Sequence, residues 1–219
     1  MKKIKKDIAV IGLGTFGYEL AVALNNAGIN ILAVDKKMEI VNRIKDKVSI
    51  AIQADITEVD IIKKLDLAKF DKVILGMSNS LENLILAITH LKKLNTKYII
   101  AKANTHLQKE ILLKIGADEV IQPEVAMAHS YVKKIAYPNI LESVIVDPVN
   151  SFVELIVPKK IEGRTLKELN LREKYGILVF MKKDKEKYNI ITNPNQSFIE
   201  GDIIFVAGEE EKILKIFKN

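Results

Sequence analysis

Residues 7–17 read DIAVIGLGTFG, and they decide the fold of the first part of this 219-residue chain. A short apolar run leads into the glycines of a G-x-G-x-x-G pattern, and apolar residues at helical spacing follow Gly17. This order predicts a β-strand, a tight turn and an α-helix. In such a turn the first glycine permits the bend, the second lets a phosphate approach the backbone, and the third lets the helix pack on the strand.

Downstream of this turn, short apolar runs alternate with helical patterns. The runs predict strands at residues 7–11, 30–34, 49–53, 72–75, 98–101 and 119–121. The segments between them predict helices at residues 16–27, 38–46, 58–65, 81–94 and 107–115. Strands that are apolar throughout are expected in a parallel sheet with helices on both faces. The sequence therefore predicts a Rossmann-like, doubly wound α/β domain.

The pattern changes near Pro138. We predict a helix that begins at Pro123 and continues over residues 124–136; it ends before Pro138 because proline cannot continue a helix. Beyond it, we predict strands at residues 143–147, 152–157, 177–182, 188–192 and 202–207, and short helices at residues 165–169 and 209–217. This mixture predicts a second, smaller α+β domain. We therefore divide the chain into a nucleotide-binding domain, residues 1–138, and a small domain, residues 139–219.

The composition excludes several kinds of site. The chain has no cysteine, which excludes disulfides, thiolate metal centres and cysteine nucleophiles. The absence of cysteine suits a reducing cytoplasm. The longest apolar runs fall far short of the ~20 residues that span a bilayer, so no transmembrane helix is expected. The net charge is +6, but the lysines are spread over every segment and interleaved with acids. Nucleic acid is therefore not an expected partner.

A nucleotide site is predicted where the glycine turn meets the following helix. The helix N-terminus supplies N–H donors and partial positive charge, which favour a phosphate. Asp35 ends the second strand, where a carboxylate can accept hydrogen bonds from a ribose 2′-hydroxyl. Asp55 either contacts adenine or ribose, or caps the helix that follows it. The alternative is that the glycines only mark a tight turn and that Asp35 caps the next helix.

Further motifs make this interpretation more specific. They are Ile11-Gly12-Leu13-Gly14-x-Phe16-Gly17, Ala33-Val34-Asp35, Ala54-Asp55-Ile56-Thr57-Glu58, Lys114-Ile115-Gly116-Ala117-Asp118, Pro123-Glu124 and Gly201-Asp202-x-Ile204-x-Val206-x-Gly208. Together they resemble the potassium-channel regulator domain, called RCK or KTN, and the small domain that accompanies it. The resemblance covers nearly the whole chain and points to the KtrA/TrkA-like regulatory subunits of bacterial potassium-uptake systems.

This resemblance implies regulation, and not turnover of a substrate, so the chain is not expected to be an enzyme. Subunits of this family form homodimers that assemble into a ring, with an octamer as one option. The ring lies beneath a potassium-translocating membrane subunit of Ktr or Trk type, at the inner face of the cell membrane, and nucleotide occupancy changes its shape. The alternatives are an NAD-dependent oxidoreductase, which the first domain alone permits, and a DNA-binding redox repressor.

The resemblance also implies roles for single residues. Those implied for nucleotide binding are Gly12, Gly14, Thr15, Phe16, Gly17, Asp35, Asp55, Ile56, Met77, Ser78 and Lys102. Thr15 stands where KtrA-like members carry an arginine that contacts the terminal phosphate, so ATP, ADP and NAD(H) stay open as ligands. Lys36, Lys37 or a neighbouring subunit are the alternative sources of the positive charge. Glu124 matches a glutamate that helps to hold a divalent cation, Mg²⁺ or Ca²⁺. A cyclic di-AMP interface in the small domain is a further option, with Ile161, Leu166, Arg172 and Pro194 as candidates; for the apolar ones, packing is the alternative.

Overall fold

The computed structural model describes residues 6–77 and 80–218 of the chain. The chain divides into two compact units, Met1–Val125 and Ala126–Asn219. The helix that begins at Pro123 crosses this division. The domain boundary that we predict after residue 138 lies beyond the end of that helix and stays a prediction.

The first unit is built on a parallel sheet. Its strands are β1 (Asp7–Ile11), β2 (Asn30–Asp35), β3 (Ile50–Gln53), β4 (Lys72–Leu75), β5 (Ile99–Lys102) and β6 (Glu119–Ile121). Over the described residues, the strand order is β3-β2-β1-β4-β5-β6, and all pairings are parallel. The order reverses between β1 and β4, which is the place where doubly wound sheets open a crevice at the carboxyl ends of the strands. The predicted sheet is thereby confirmed.

Both faces of this sheet are covered by helices. They are α1 (Thr15–Asn26), α2 (Met38–Ile44), α3 (Val59–Lys64), α4 (Leu81–Lys93) and α5 (His106–Lys114), with a 3-10 turn at Leu67–Lys69. Alternate residues of β1 belong to separate apolar clusters, Ala9 and Ile11 to one and Ile8 and Val10 to the other. Because side chains alternate across a strand, the two clusters lie on opposite faces of the sheet. This double burial explains why the strands are apolar throughout.

The second unit is built on an antiparallel sheet. Helix α6 (Pro123–Ala136) leads into it, and its strands are β7 (Ile140–Ile145), β8 (Asn150–Ile156), β9 (Leu178–Asp184), β10 (Lys187–Ile190) and β11 (Ile203–Glu209). Among the described residues their order is β10-β9-β11-β8-β7. The core forms between alternate residues of β8, β9 and β11 and the helix α9 (Glu210–Phe217). The predicted α+β domain is confirmed.

Two further short helices lie between β8 and β9 in the sequence. They are α7 (Leu166–Leu169) and α8 (Leu171–Tyr175), and a 3-10 turn at Lys159–Ile161 precedes them. We predict only the first from the sequence. Asn170 separates the two helices because it adopts a left-handed conformation, with φ of 44°, which ends α7 and begins α8. No helix in the described part of the chain is long and apolar enough to cross a membrane.

Candidate functional site

The glycine turn between β1 and α1 is held by close backbone contacts. Gly12 has φ of +84°, and a Cβ there would lie 2.7 Å from the backbone nitrogen of Met77. A Cβ on Gly17 would lie 2.1 Å from the carbonyl oxygen of Gly12, and one on Gly76 would lie 2.7 Å from the same oxygen. These positions therefore require glycine. Gly14 differs, because its Cβ position has no atom within 4 Å and the space beside it is open.

The N-terminus of α1 is left without a side-chain cap. Its N-cap is Gly14, and its first turn contains no acidic residue. By contrast, Ser80 and Thr105 begin α4 and α5 with hydroxyls that accept N–H groups at 3.2 Å. The first N–H groups of a helix have no partner within the helix, and the dipole is positive there. The start of α1 is therefore suited to an external anion.

A cavity of about 360 Å³ opens in front of this turn. Its volume lies within the range of small-molecule sites. The predicted residues that line it are Gly12, Gly14, Thr15, Phe16, Asp35, Lys36, Asp55, Ile56, Met77, Lys102 and Glu124, together with Lys37. Gly17 does not line the cavity, because it packs behind the turn against Gly12. Ser78 lies outside the described residues.

The cavity also contains residues that the sequence pattern does not single out. Ile40 lines it from α2, and Ser80, the N-cap of α4, and Asn83, in the first turn of α4, line it beside β4. The last two follow β4, the strand at which the sheet order reverses. The rule that ligands bind beside this reversal could have found them.

Asp35 is a buried carboxylate held by two backbone amides. The N–H of Leu13 donates to its Oδ2 at 2.7 Å, and the N–H of Lys37 donates to its Oδ1 at 2.9 Å. The carboxylate therefore ties the glycine turn to the end of β2. Asp35 is not the N-cap of α2, which is Lys37. Since each carboxylate oxygen can accept more than one hydrogen bond, Asp35 retains the capacity to accept a ribose hydroxyl.

Replacing Asp35 is expected to destabilise the first unit even without a ligand. In Asp35→Ala the N–H groups of Leu13 and Lys37 lose their acceptor. Leaving the buried Leu13 donor unpaired lowers the free energy of unfolding by about 1–3 kcal/mol. Urea denaturation followed by circular dichroism measures this change. The matched control is Asp46→Ala at an exposed aspartate, expected within about 0.5 kcal/mol of the unsubstituted chain. Equal stability of the two variants would contradict this role of Asp35.

Asp55 lines the cavity and also accepts hydrogen bonds from Thr57, two residues further along the chain. Its Oδ1 accepts the backbone N–H of Thr57 at 3.0 Å and the Thr57 hydroxyl at 2.8 Å. These two bonds lower the pKa of Asp55, and the charge of Lys36 lowers this pKa further. Asp55 is not the N-cap of α3, which is Glu58. Its carboxylate is thus an oriented anion at the rim of the cavity, and its contact with adenine or ribose stays a prediction.

Lys102 and Glu124 form an ion pair at another part of the cavity wall. The Lys102 Nζ lies 2.6 Å from Glu124 Oε1, and the side chains are 10 % and 64 % exposed respectively. The hydrogen bond from Lys102, followed by one from the backbone N–H of Glu124 itself, lowers the pKa of the Glu124 carboxyl. No cluster of three or more metal-ligating side chains occurs among the described residues. Among the described residues, Glu124 is thus paired with Lys102 and is not part of a cluster of metal-ligating side chains.

The candidates for a cyclic di-AMP interface fall into two groups. Leu166, Arg172 and Pro194 line one groove of about 430 Å³ in the second unit. Ile161 does not line this groove; it is 5 % exposed and packs in the core of that unit. The expectation that Ile161 contributes to a binding surface is therefore corrected to a role in packing, because its side chain is shielded from ligands.

Comparison with known proteins relates both units to one family. The model of the TrkA-N domain matches residues 8–123, and that of the TrkA-C domain matches residues 152–219. The Ktr system potassium uptake protein C of Bacillus subtilis is 34% identical over 98% of this chain and 97% of its own length. The Ktr system potassium uptake protein A of the same organism is 31% identical over 100% of this chain and 99% of its own length.

Solved structures of GsuK share the fold. The GsuK channel bound to NAD has a TM-score of 0.65 and 15% identity, covering 97% of this chain and 39% of that chain. GsuK bound to ADP has a TM-score of 0.52 and 15% identity, covering 63% of this chain and 35% of that chain. This chain thus spans less than half of the GsuK chain. From the two domain matches and the full-length similarity, the chain belongs to the TrkA-N/TrkA-C family, which includes the Ktr system potassium uptake proteins.

Proposed function

We propose that this chain is a nucleotide-binding regulatory subunit that gates a potassium-translocating membrane subunit of Ktr or Trk type. The observation that carries the proposal is the cavity that joins the uncapped start of α1 to the buried carboxylate of Asp35. The full-length relatives are named as potassium uptake proteins. A ligand at this site would shift an oligomeric ring between two states in proportion to its difference in affinity for them.

The lining of the cavity supports ATP, ADP or NAD(H) as the ligand. The start of α1 suits a diphosphate, and Asp35 suits ribose hydroxyls and would repel a 2′-phosphate. Lys36, Lys37 and Lys102 line the cavity, so cationic side chains are present there although position 15 is a threonine. The GsuK structures carry NAD or ADP. We assign Glu124 as the protein ligand of a divalent cation, Mg²⁺ or Ca²⁺, for which nucleotide phosphates would supply further oxygens.

Regulation is favoured over catalysis. The runner-up is an NAD-dependent oxidoreductase, which a Rossmann-like domain alone would permit. The full-length relatives are potassium uptake proteins, which does not favour this alternative. We place the protein in the cytoplasm, at the inner face of the membrane through its partner. The groove lined by Leu166, Arg172 and Pro194 is our candidate for cyclic di-AMP.

The surface of α6 supports association with a second copy of the chain. None of the residues of α6 is buried. Met127, Tyr131 and Ile135 are large, exposed and spaced by four residues, so they lie on one face of the helix. An exposed apolar face of this kind marks an interaction surface. We assign it to the homodimer from which the ring is assembled.

A charge on this face is expected to separate the copies. Ile135 is 76% exposed, and Ile135→Lys places an ammonium group in the proposed interface. We expect dimerisation to weaken by about 30-fold, the effect of losing one hot-spot side chain. Light scattering after size-exclusion chromatography measures the mass against concentration. The matched control is Ile190→Lys on β10, where the isoleucine is 72% exposed and association should persist. Unchanged association of Ile135→Lys would overturn the assignment.

The functional test measures potassium flux in vesicles that contain the membrane subunit and this chain. Flux should change when ATP, ADP or NADH is added, and the change should require this chain. Nucleotide-independent flux would refute the regulatory role. Nucleotide-dependent turnover of a second substrate would favour the oxidoreductase. Mass spectrometry of the nucleotide that co-purifies with the chain would identify the preferred ligand.

A further inference from the structure

The lysines that line the cavity differ in burial. Lys36 and Lys37 are exposed to solvent, whereas the side chain of Lys102 is 10 % exposed. A buried ammonium needs an anionic partner because removing a charge from water is costly. Glu124 supplies such a partner at 2.6 Å, and both side chains line the cavity in which the nucleotide is proposed to bind.

We propose that Glu124 competes with the phosphate of the nucleotide for Lys102. The Glu124 carboxylate is paired with the Lys102 ammonium in the structure, and in our proposal this is the arrangement before a nucleotide binds. A bound nucleotide phosphate takes over this ammonium and displaces the carboxylate. This inference rests on the proposed nucleotide site, and it adds a regulatory element to that site.

The difference in exposure determines which partner moves. A phosphate that enters the cavity brings a second anion to the single ammonium of Lys102, and the two anions repel each other. Glu124 is 64 % exposed, so its carboxylate can turn away from Lys102 at little cost in free energy. The Lys102 side chain is largely enclosed and stays beside the cavity. Replacing the Glu124 carboxylate by a phosphate therefore costs less free energy than moving the Lys102 ammonium out of its place.

The exchange has a consequence for α6, because Glu124 lies in the first turn of this helix. Loss of the bond to Lys102 removes one contact between the first turn of α6 and the end of β5. The same helix carries the face of Met127, Tyr131 and Ile135, which we assign to the second copy. Phosphate binding at Lys102 is thereby linked to α6. By thermodynamic linkage, association through α6 would change the affinity for phosphate by the same factor.

The test is calorimetric titration of the full-length chain with ADP, at low salt and with EDTA present. EDTA removes divalent cations, so the proposed role of Glu124 as a cation ligand cannot contribute. Glu124→Gln removes the competing charge and should bind ADP about fivefold more tightly than the unsubstituted chain, as expected for a partly exposed ion pair. Glu119→Gln is the control, because it makes the same change in net charge at an exposed glutamate that does not line the cavity.

A double-mutant cycle separates competition from a merely structural effect. Lys102→Met removes the ammonium and should weaken ADP binding, and adding Glu124→Gln to it should then have no effect, because the two residues act on one interaction. Tighter binding of Glu124→Gln that disappears in the Lys102→Met background supports the inference. If the unsubstituted chain binds ADP and Glu124→Gln binds it equally or more weakly, the inference is overturned and the proposed function stands. If neither chain binds ADP, ATP or NADH, the proposed function and the inference are both overturned.

Discussion

Gly17→Ala is expected to lower the free energy of unfolding of the first unit by about 3 kcal/mol or more, a large effect for the addition of one methyl group. The added Cβ would lie 2.1 Å from the carbonyl oxygen of Gly12. This oxygen belongs to the backbone of the turn and cannot rotate away as a flexible side chain could. Either α1 separates from β1 or the turn is distorted. Thermal and urea denaturation of the full-length chain would measure the loss.

Gly14→Ala is the matched control, because the same methyl group at position 14 meets no atom within 4 Å. The backbone of Gly14 has φ of −61° and ψ of −177°, which alanine adopts readily. The free energy of unfolding of Gly14→Ala is expected to stay within about 0.5 kcal/mol of that of the unsubstituted chain. A Gly17→Ala variant as stable as Gly14→Ala would show that the helix and strand do not pack as closely as described.

Gly14→Asp is expected to abolish stabilisation by nucleotides while leaving the chain folded. Its carboxylate would occupy the open space at the start of α1, where the phosphate is proposed to bind. A ligand at a concentration 100-fold above its dissociation constant stabilises the folded state by about 2.7 kcal/mol. For a chain of this size the gain corresponds to roughly 5–10 °C in Tm. The variant should lose this increase with ATP, ADP and NADH.

The stability of Gly14→Asp without nucleotide distinguishes loss of the site from loss of the fold. Residue 14 is the N-cap of α1, where an aspartate caps the helix and complements its dipole. We therefore expect the ligand-free variant to be more stable than the unsubstituted chain by a few tenths of a kcal/mol. A full nucleotide shift in Gly14→Asp would refute the assignment of the phosphate site.

Local patterns in the sequence were sufficient to predict the sheet of the first unit. Apolar runs between glycine and asparagine stops mark its strands, and the glycine turn identifies the first crossover. The helix α8 was not predictable in this way, because it depends on a left-handed conformation at Asn170 that asparagine only sometimes adopts.

The candidate site could be predicted in part. The residues at the ends of β1, β2 and β3 follow from the rule that ligands bind at the carboxyl ends of parallel strands. The pairing of Lys102 with Glu124 does not follow from it, because it joins β5 to the next helix but one in the sequence. Nothing in the local sequence distinguishes Lys102 from the many solvated lysines of the chain. The role of Asp35 as an acceptor for the Leu13 N–H likewise depends on how the chain folds back.

The carbonyl oxygen of Gly12 is enclosed on two sides, by Gly17 and by Gly76. A backbone packed this closely cannot shift without steric overlap, so the proposed phosphate site is formed before a ligand binds, and little conformational entropy would be lost on binding. We then expect any structural change on ligand binding to begin in the side chains at the rim of the cavity. An attempt to redesign ligand preference should accordingly alter those rim positions and leave the glycines untouched.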